Sequence, residues 1–185
     1  KKFKPWGVIL FSRNIKSILQ TRKLTDEIKK IFRDINYPIL IDQEGGRVNR
    51  LKKFYNTDPF TSGYFGKLYI KDKNKFLDRY KLFINKTSFL LKKSGINVNT
   101  SPVLDLNIKG SNNIIGDRAF SKNPKFVSKI GDICIKNFHQ NKIATVIKHI
   151  PGHGLAKVDS HKLTPLVKAK YKYLIKNDFF PFKNK

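Results

Sequence analysis

The chain has 185 residues and a formal net charge of +26 at pH 7, from 39 Lys and Arg residues against 13 Asp and Glu residues. Only seven of the basic residues are Arg, and the lysines are spread along the sequence without forming one basic block. The aromatic residues are mostly Phe at apolar positions, whereas a nucleic-acid platform places aromatic side chains among Arg residues. We therefore expect no dedicated nucleic-acid function, although so basic a chain attracts polyanions weakly.

The cysteine content and the hydropathy of the sequence further narrow the possible classes of protein. Cys134 is the only cysteine, which excludes a disulfide within these residues, and it lies on the apolar face of a predicted helix, where we expect a core residue. No apolar run reaches the ~18 residues that a membrane span needs, so we expect no membrane partner. The sequence does not begin with Met, and we interpret it as part of a longer protein, so export stays open.

The first predicted elements are a strand, a helix and a second strand. Residues 6–11 are predicted to form a strand, and the S-x-x-Q pattern at Ser17 predicts a capping box for a helix that runs to about residue 34. Residues 38–41 are apolar throughout, as is typical of a parallel strand covered on both faces. We interpret the next residues, 43–46, as a loop.

The middle of the chain contains the strongest helical pattern. Residues 56–69, rich in Gly, aromatic and polar residues, are interpreted as an irregular loop. Residues 72–94 carry one continuous apolar stripe at helical spacing, and Gly95 provides the stop. A third strand is predicted over residues 96–100, although two asparagines interrupt its apolar pattern.

The remaining elements complete four rounds of strand and helix. Asn123 and Pro124 have the order of an N-cap and a first helical residue, and the helix that they begin is followed by a β-branched strand over residues 143–147 and a last helix over residues 171–180. Such alternation implies a parallel sheet with right-handed crossovers. A (β/α)8 barrel and a doubly wound sheet both fit it.

The fourth strand leads into the segment Lys-His-Ile-Pro-Gly-His-Gly at residues 148–154. Pro and Gly end the strand and impose a loop, so Lys148 and His149 are placed at the C-terminal end of a strand, where α/β scaffolds carry active sites. Further along, Asp159 and His161 are two residues apart and point the same way in extended backbone. A carboxylate that holds one imidazole nitrogen favours a general acid/base. The alternative is that Asp159 caps a turn and His161 is polar surface.

The segment at 148–154, together with Asp-Ser-His at 159–161, resembles the β-N-acetylglucosaminidases of glycoside hydrolase family 3. Three further stretches support this resemblance, in the family's order and at about its spacing: Ile-Asp-Gln-Glu-Gly-Gly-Arg-Val-Asn-Arg at 41–50, Pro-Val-Leu-Asp-Leu at 102–106 and Ile-Gly-Asp-Arg-Ala-Phe at 115–120. Departures are mild. Ile150 stands where Phe is usual, and Lys-Leu-Thr follows His161 where apolar residues are commoner.

The resemblance implies a substrate-binding site formed by five side chains: Asp42, Arg50, Arg118, Lys148 and His149. Taken alone, Asp42 could cap a helix, Arg118 could belong to a surface pair with its acidic neighbour, and Lys148 could be an ordinary solvated lysine. The motifs that surround these residues favour the binding roles.

Several neighbours are interpreted as structural residues. Glu44 and Arg47 could form an ion pair and are left outside the predicted site. Asp117 is expected to steer the adjacent arginine or to cap a turn. His153 is expected to brace its loop through hydrogen bonds.

The resemblance also implies the fold and the reaction. The fold is a (β/α)8 TIM barrel, and since a complete barrel needs about 250 residues, we expect residues 1–185 to be a single truncated domain holding the first half, strands one to four. The reaction is the retaining hydrolysis of a terminal β-linked N-acetylglucosamine. In it His161, oriented by Asp159, replaces the usual acid/base carboxylate, and the Asp nucleophile lies beyond residue 185.

The same resemblance suggests the setting of the intact protein. Its substrate would be a cell-wall muropeptide or an oligosaccharide that contains N-acetylglucosamine, in the peptidoglycan recycling of a bacterial cytoplasm. We expect a monomer without a cofactor or a metal ion. The 185 residues alone should bind sugar poorly and turn over nothing.

Two alternatives stay open. One is another family 3 β-glycosidase or a phosphorylase, because an imidazole acid/base tolerates an incoming phosphate better than a carboxylate does. The other is a non-catalytic half barrel that binds polyanions, which the net charge favours.

Overall fold

The computed structural model describes residues 3–108, 113–158, 163–183 and 185. Its strands are β1 (Val8–Leu10), β2 (Ile39–Ile41), β3 (Gln43–Gly45), β4 (Val48–Asn49), β5 (Val98–Asn99) and β6 (Ala144–Thr145). Its helices are α1 (Ile18–Phe32), α2 (Ser62–Lys71), α3 (Lys73–Lys93), α4 (Pro124–Gln140) and α5 (Tyr171–Lys176). Short 3-10 turns cover Ser12–Asn14, Gly116–Arg118 and Phe180–Phe182.

Four of these strands form one parallel sheet in the order β1-β2-β5-β6. A doubly wound sheet reverses its strand order at a switch point, whereas here each strand joins the sheet on the same side as the one before. The crossover helices follow the same order, since α3 packs against both α1 and α4. Right-handed crossovers that always advance in one direction keep their helices on one face, which is the arrangement of consecutive strands in a (β/α)8 barrel.

The core lies between the sheet and these helices, and every layer contributes fully buried side chains to it: Ile39, Ile41, Phe65, Phe76, Ile84, Leu91, Leu104 and Phe138. Cys134 is buried in the same cluster, as the apolar face of its helix predicts.

The three long predicted helices are confirmed, and their N-caps explain where they begin. Asp72 and Asn123 accept hydrogen bonds from the first turns of α3 and α4, and Ser17 accepts one from the Gln20 N–H at 3.1 Å. The expected capping box at Ser17 is modified, because the Gln20 side chain accepts from the N–H of Lys16 instead of that of Ser17. The helix boundaries are therefore set by local polar contacts that the sequence displays.

The third strand is shorter than predicted, and its two asparagines explain why. The side chain of Asn97 accepts from the N–H of Ile39 at 2.8 Å. The side chain of Asn99 accepts from the N–H of Gln43 at 3.0 Å and donates to the carbonyl of the same residue at 2.9 Å. Side chains thus replace part of the backbone ladder and fasten β5 to the end of β2.

Two predicted loops are wrong. Residues 43–46 contain β3 and the start of the turn that joins it to β4 in an antiparallel hairpin, with Gly45 and Gly46 both at positive φ. Residues 56–69 contain most of α2, whose N-cap Thr61 accepts a hydrogen bond from Tyr64 N. The two strands of the hairpin have only three and two residues, so the sequence pattern of this segment hardly differs from that of a loop.

Helix α2 is stabilised by contacts far away in sequence. The ring of Phe65 lies 4.5 Å from that of Tyr80 and 5.2 Å from that of Phe83, measured between centroids. Gly66 faces the backbone of Phe120, so α2 also supports the segment that follows the turn Gly116–Arg118.

The last predicted helix also ends early. Helix α5 stops at Lys176, and the chain continues into a 3-10 turn that contains Pro181. Within the described ranges, no helix is both long and apolar enough to cross a membrane.

Gly66 should be irreplaceable by Ala, because an added Cβ would lie 1.6 Å from the carbonyl oxygen of Phe120. We expect Gly66→Ala to lower the free energy of unfolding by about 3 kcal/mol or to prevent folding, as strong overpacking does. The matched control on the same helix is Gly63→Ala, whose Cβ would meet its nearest atom at 3.4 Å. Urea unfolding of both variants measures the difference, and equal midpoints would contradict the close approach.

Candidate active site

The C-terminal ends of three parallel strands bring together a buried polar cluster. Asp42 directly follows β2, Thr100 follows β5, and Lys148 comes three residues after β6. Lys148 Nζ donates to Asp42 Oδ1 at 2.7 Å and to Thr100 Oγ1 at 3.1 Å, and the Thr100 hydroxyl donates to Asp42. The ends of parallel strands meet at one edge of the sheet, which is why residues so far apart in sequence are neighbours here.

Glu44 is the residue that sequence reasoning missed. Its side chain, only 3% exposed, accepts from Arg118 Nε and Nη2 at 2.8 and 2.9 Å and lies 2.6 Å from Lys148 Nζ. The bidentate pair with Arg118 and the contact with Lys148 together neutralise a carboxylate that would otherwise be costly to bury. The sequence did contain a signal, because Asp42 and Glu44 are two residues apart and extended backbone directs both to the same side.

The predicted pairing of Glu44 with Arg47 is wrong. Arg47 instead donates through Nη2 to the carbonyls of Asn113 and Ile114 at 2.7 and 2.8 Å, and its Nε lies 3.3 Å from Asp117. Asp117 therefore pairs with Arg47 and not with Arg118. These contacts tie the hairpin to the loop that carries Arg118.

Arg50 lies at the edge of the cluster. Its Nη2 is 3.4 Å from Asp42 Oδ2, and its guanidinium carbon lies 5.6 Å from the centroid of the Phe11 ring. This longer pairing, between side chains that are 27% and 19% exposed, leaves donors of Arg50 available to a ligand.

His149 is held by a second buried carboxylate that was not assigned a role from the sequence. Its Nδ1 lies 2.5 Å from Oδ2 of Asp105, and the other oxygen of Asp105 accepts from the N–H of His153 at 2.7 Å. Because Nδ1 faces a carboxylate, the proton belongs on Nδ1 and Nε2 is free to face a ligand, with Arg118 Nη2 3.4 Å away. The His149 side chain is 37% exposed, so the ring is partly open to solvent.

The same contacts fix the charges of the cluster. Burial would raise the pKa of Asp42, but hydrogen bonds from Lys148 and Thr100 and the nearby positive charges outweigh it and lower the pKa to about 2. Burial opposes ionisation of Glu44 too, and Arg118 and Lys148 overcome it to lower its pKa. Burial alone would lower the pKa of Arg118, and Glu44 raises it. These side chains are permanently charged near neutral pH, which suits binding and not proton transfer.

The structure thus brings together Asp42, Arg50, Arg118, Lys148 and His149, and their role in binding substrate stays a prediction. Asp159 and His161, the predicted acid/base pair, lie outside the described residues. The loop that leads to them is described as far as residue 158. In the described part of the chain, no group of three His, Cys, Asp or Glu side chains is placed to hold a metal ion.

Comparison with known proteins assigns the chain to a family. Residues 3–185 match the glycosyl hydrolase family 3 N terminal domain. The chain belongs to glycosyl hydrolase family 3. The β-hexosaminidase of Hydrogenovibrio crunogenus is 34% identical over 176 residues, and β-hexosaminidase A of Pseudoalteromonas piscicida is 33% identical over 180 residues. Both matches cover 95% of this chain, but only 48% and 30% of the two relatives, so the chain spans half or less of their length.

Solved structures of the family have the same fold. NagZ from Neisseria gonorrhoeae, in complex with N-trifluoroacetyl-D-glucosamine, has a TM-score of 0.86 and 31% identity over 96% of this chain and 52% of its own. A family 3 β-N-acetylglucosaminidase from Paenibacillus sp. has a TM-score of 0.79 and 30% identity over 95% of this chain and 33% of its own. The predicted family and the predicted fold, the first half of a TIM barrel, are therefore confirmed.

Removing the charge of Glu44 should destabilise the fold strongly, because Arg118 and Lys148 would remain buried without it. We expect Glu44→Gln to lower the free energy of unfolding by about 3 kcal/mol. The control is Asp26→Asn, which breaks the half-exposed pair with Arg22 and should cost less than about 1 kcal/mol. Urea unfolding at pH 7 compares the two variants. A loss for Glu44→Gln no larger than that of the control would show that the cluster does not hold the strand ends together.

Proposed function

We propose that the intact protein is a retaining β-N-acetylglucosaminidase that removes terminal β-linked N-acetylglucosamine from cell-wall muropeptides or related oligosaccharides. The observation that carries the proposal is the cluster of fixed charges around Lys148, with the partly exposed ring of His149 held beside it by Asp105. Relatives named β-hexosaminidase, and a relative solved with an N-acylated glucosamine, support the sugar class.

Each side chain of the cluster has a role that its chemistry supports. The ionised carboxylate of Asp42 accepts hydrogen bonds from sugar hydroxyls, and Lys148 and His149 donate or accept at neighbouring hydroxyls. Arg118 and Arg50 present guanidinium donors, which suit an acyl oxygen or a carboxylate. Because Glu44 and Asp105 hold the cations and the imidazole in place, the donors and acceptors are oriented before substrate arrives.

The chemical step needs groups outside this cluster. An Asp from the second half of the barrel, beyond these 185 residues, attacks the anomeric carbon while His161 gives its proton to the leaving oxygen. Water then displaces the Asp from the sugar, and His161 takes the proton of that water, which restores both groups. Asp159 holds one imidazole nitrogen and so keeps the other directed at the substrate.

The setting follows from the family resemblance. We propose that the intact protein acts as a monomer in bacterial cytoplasm, in the recycling of peptidoglycan. The net charge of +26 on these 185 residues adds an attraction to anionic material, which includes the peptide carboxylates of a muropeptide.

His161→Ala should remove the acid/base while leaving sugar binding intact. With an aryl β-N-acetylglucosaminide, we expect kcat/KM to fall by about 10²–10⁴-fold. The loss should shrink for a leaving group of low pKa, such as 2,4-dinitrophenolate, which departs without protonation. The matched control is His139→Ala, since His139 lies in the last turn of α4, where its ring contacts Thr145, and the change should leave turnover unchanged. Equal losses for good and poor leaving groups would contradict the acid/base role, and acceleration by inorganic phosphate would favour a phosphorylase.

The chain of 185 residues should have no measurable hydrolase activity when it is expressed alone, since the proposed nucleophile lies outside it. The complete reading frame that contains the chain should turn over the same substrate. Appreciable activity from the 185 residues would contradict the placement of the nucleophile. No activity from the complete protein would instead contradict the proposed function.

A further inference from the structure

Asp178 is a buried acid that the proposed reaction does not use. It lies two residues after the end of α5, is only 2% exposed, and its Oδ1 is buried without a hydrogen-bond partner. An unpartnered carboxyl group is costly to bury in its ionised form, so its position requires an explanation.

The carboxyl group lies against the glycine-rich loop of the site. A Cβ added to Gly154 would lie 2.6 Å from the carbonyl oxygen of Leu106 and 3.0 Å from Asp178 Oδ1. A Cβ added to Gly152 would lie 2.8 Å from Asp178 Cβ. The loop therefore passes through a narrow space between Asp178 and the segment after β5, and only glycine fits at these two points.

The residue between the two glycines connects this packing to the site. The N–H of His153 donates to Asp105 Oδ1 at 2.7 Å, and the other oxygen of Asp105 holds His149. Asp178 and Asp105 thus contact the same loop. In sequence, the loop then runs on to Asp159 and His161.

No cation in the described surroundings offsets a charge on Asp178. Lys172 and Lys176 on α5 are exposed to solvent, and Lys185 pairs with Asp132 on α4, which packs against the turn after Asp178. The imidazoles of His149 and His153 are on the loop itself, and the former is engaged by Asp105. Burial, and then the charge of Asp105, raise the pKa of Asp178 to about 6.

We propose that Asp178 is a positioning residue of the active site, which in its neutral form holds loop 149–154 closed against Asp105 and on ionisation releases it. The part of this proposal that concerns sugar binding rests on the proposed function. The ionised form must regain water or move away from Asp105, and either change opens the narrow space through which the loop passes.

The direction of the pH effect follows from the sign of the shift. Because the pKa of Asp178 in the folded protein is raised above its ordinary value, its contribution to loop closure is present at low pH and is lost as pH rises through about 6. With a pKa of 3.8 in the open loop and about 6 in the closed loop, the closed fraction falls by at most about 4-fold between pH 5.5 and 7.5, and sugar binding falls with it if only the closed loop binds.

Amide hydrogen exchange tests loop closure without substrate. In the complete protein, exchange across residues 149–156, corrected for its intrinsic pH dependence, should accelerate by up to about 4-fold between pH 5.5 and 7.5. Asp178→Asn keeps a neutral group of the same shape and should remove the acceleration. The control Asp78→Asn, at an exposed position of α3, should retain it.

The same variants are then compared by titration with N-acetylglucosamine. The wild-type Kd should rise with pH, and that of Asp178→Asn should stay nearly constant. A rise that persists in Asp178→Asn belongs to His149 or His153 and overturns the proposal. If Asp178→Asn does not fold, the wild-type protein alone tests the proposal. Exchange protection of the loop that stays constant from pH 5 to 8 would contradict it. If the protein binds no sugar at any pH, the proposed function is contradicted. The hydrogen-exchange measurement still tests loop closure in that case, because it needs no substrate.

Discussion

The buried carboxylate of Glu44 is the constraint on which the rest of the site depends. It accepts two hydrogen bonds from Arg118 and lies 2.6 Å from the ammonium of Lys148. Taking such a charge out of water is unfavourable unless both cations are held in place. Its partners come from separate connections of the barrel, so one side chain ties the hairpin after β2 to the turn Gly116–Arg118 and to the end of β6. The site can therefore form only when these crossovers have folded together.

The fixed charges of this cluster also separate substrate binding from proton transfer in the site. Asp42, with its pKa lowered to about 2, and Glu44, with its pKa lowered by the same cations, do not change protonation state near neutral pH. A glycosidase needs at least one group that gives and takes a proton during each turnover. The strand ends are consequently suited to orienting a sugar, and proton transfer falls to a residue in a different electrostatic environment. The proposed pair of Asp159 and His161 on the neighbouring loop supplies such a residue.

Much of the fold was predictable because the strands and long helices carry their own signals. The caps at Ser17, Asp72 and Asn123 are visible in the sequence, and the alternation of strand and helix predicts a parallel sheet. No local pattern contains the strand order, so the choice of a barrel over a doubly wound sheet came from the family resemblance, and the observed strand order agrees with it. Helix α2 was missed because Phe65 and Gly66 are stabilised by rings and backbone distant in sequence. Asp42 and Lys148 each follow an apolar run, and the family resemblance implied their binding roles, whereas Glu44 and Asp105 act only through partners that folding brings near.

The loop at 149–154 shows why a glycine-rich segment needs support from outside itself. Glycine loses more conformational freedom on ordering than other residues, so the closed loop is stabilised chiefly by its contacts. Asp105 accepts hydrogen bonds from the His149 ring and from the N–H of His153, and Asp178 packs against the glycines on either side of His153. Both acids are buried, but one is paired and the other is not. The order Pro-Gly-His-Gly thus has a physical reason, because glycine is required where the loop passes Asp178, and the residue between the glycines directs its N–H to Asp105.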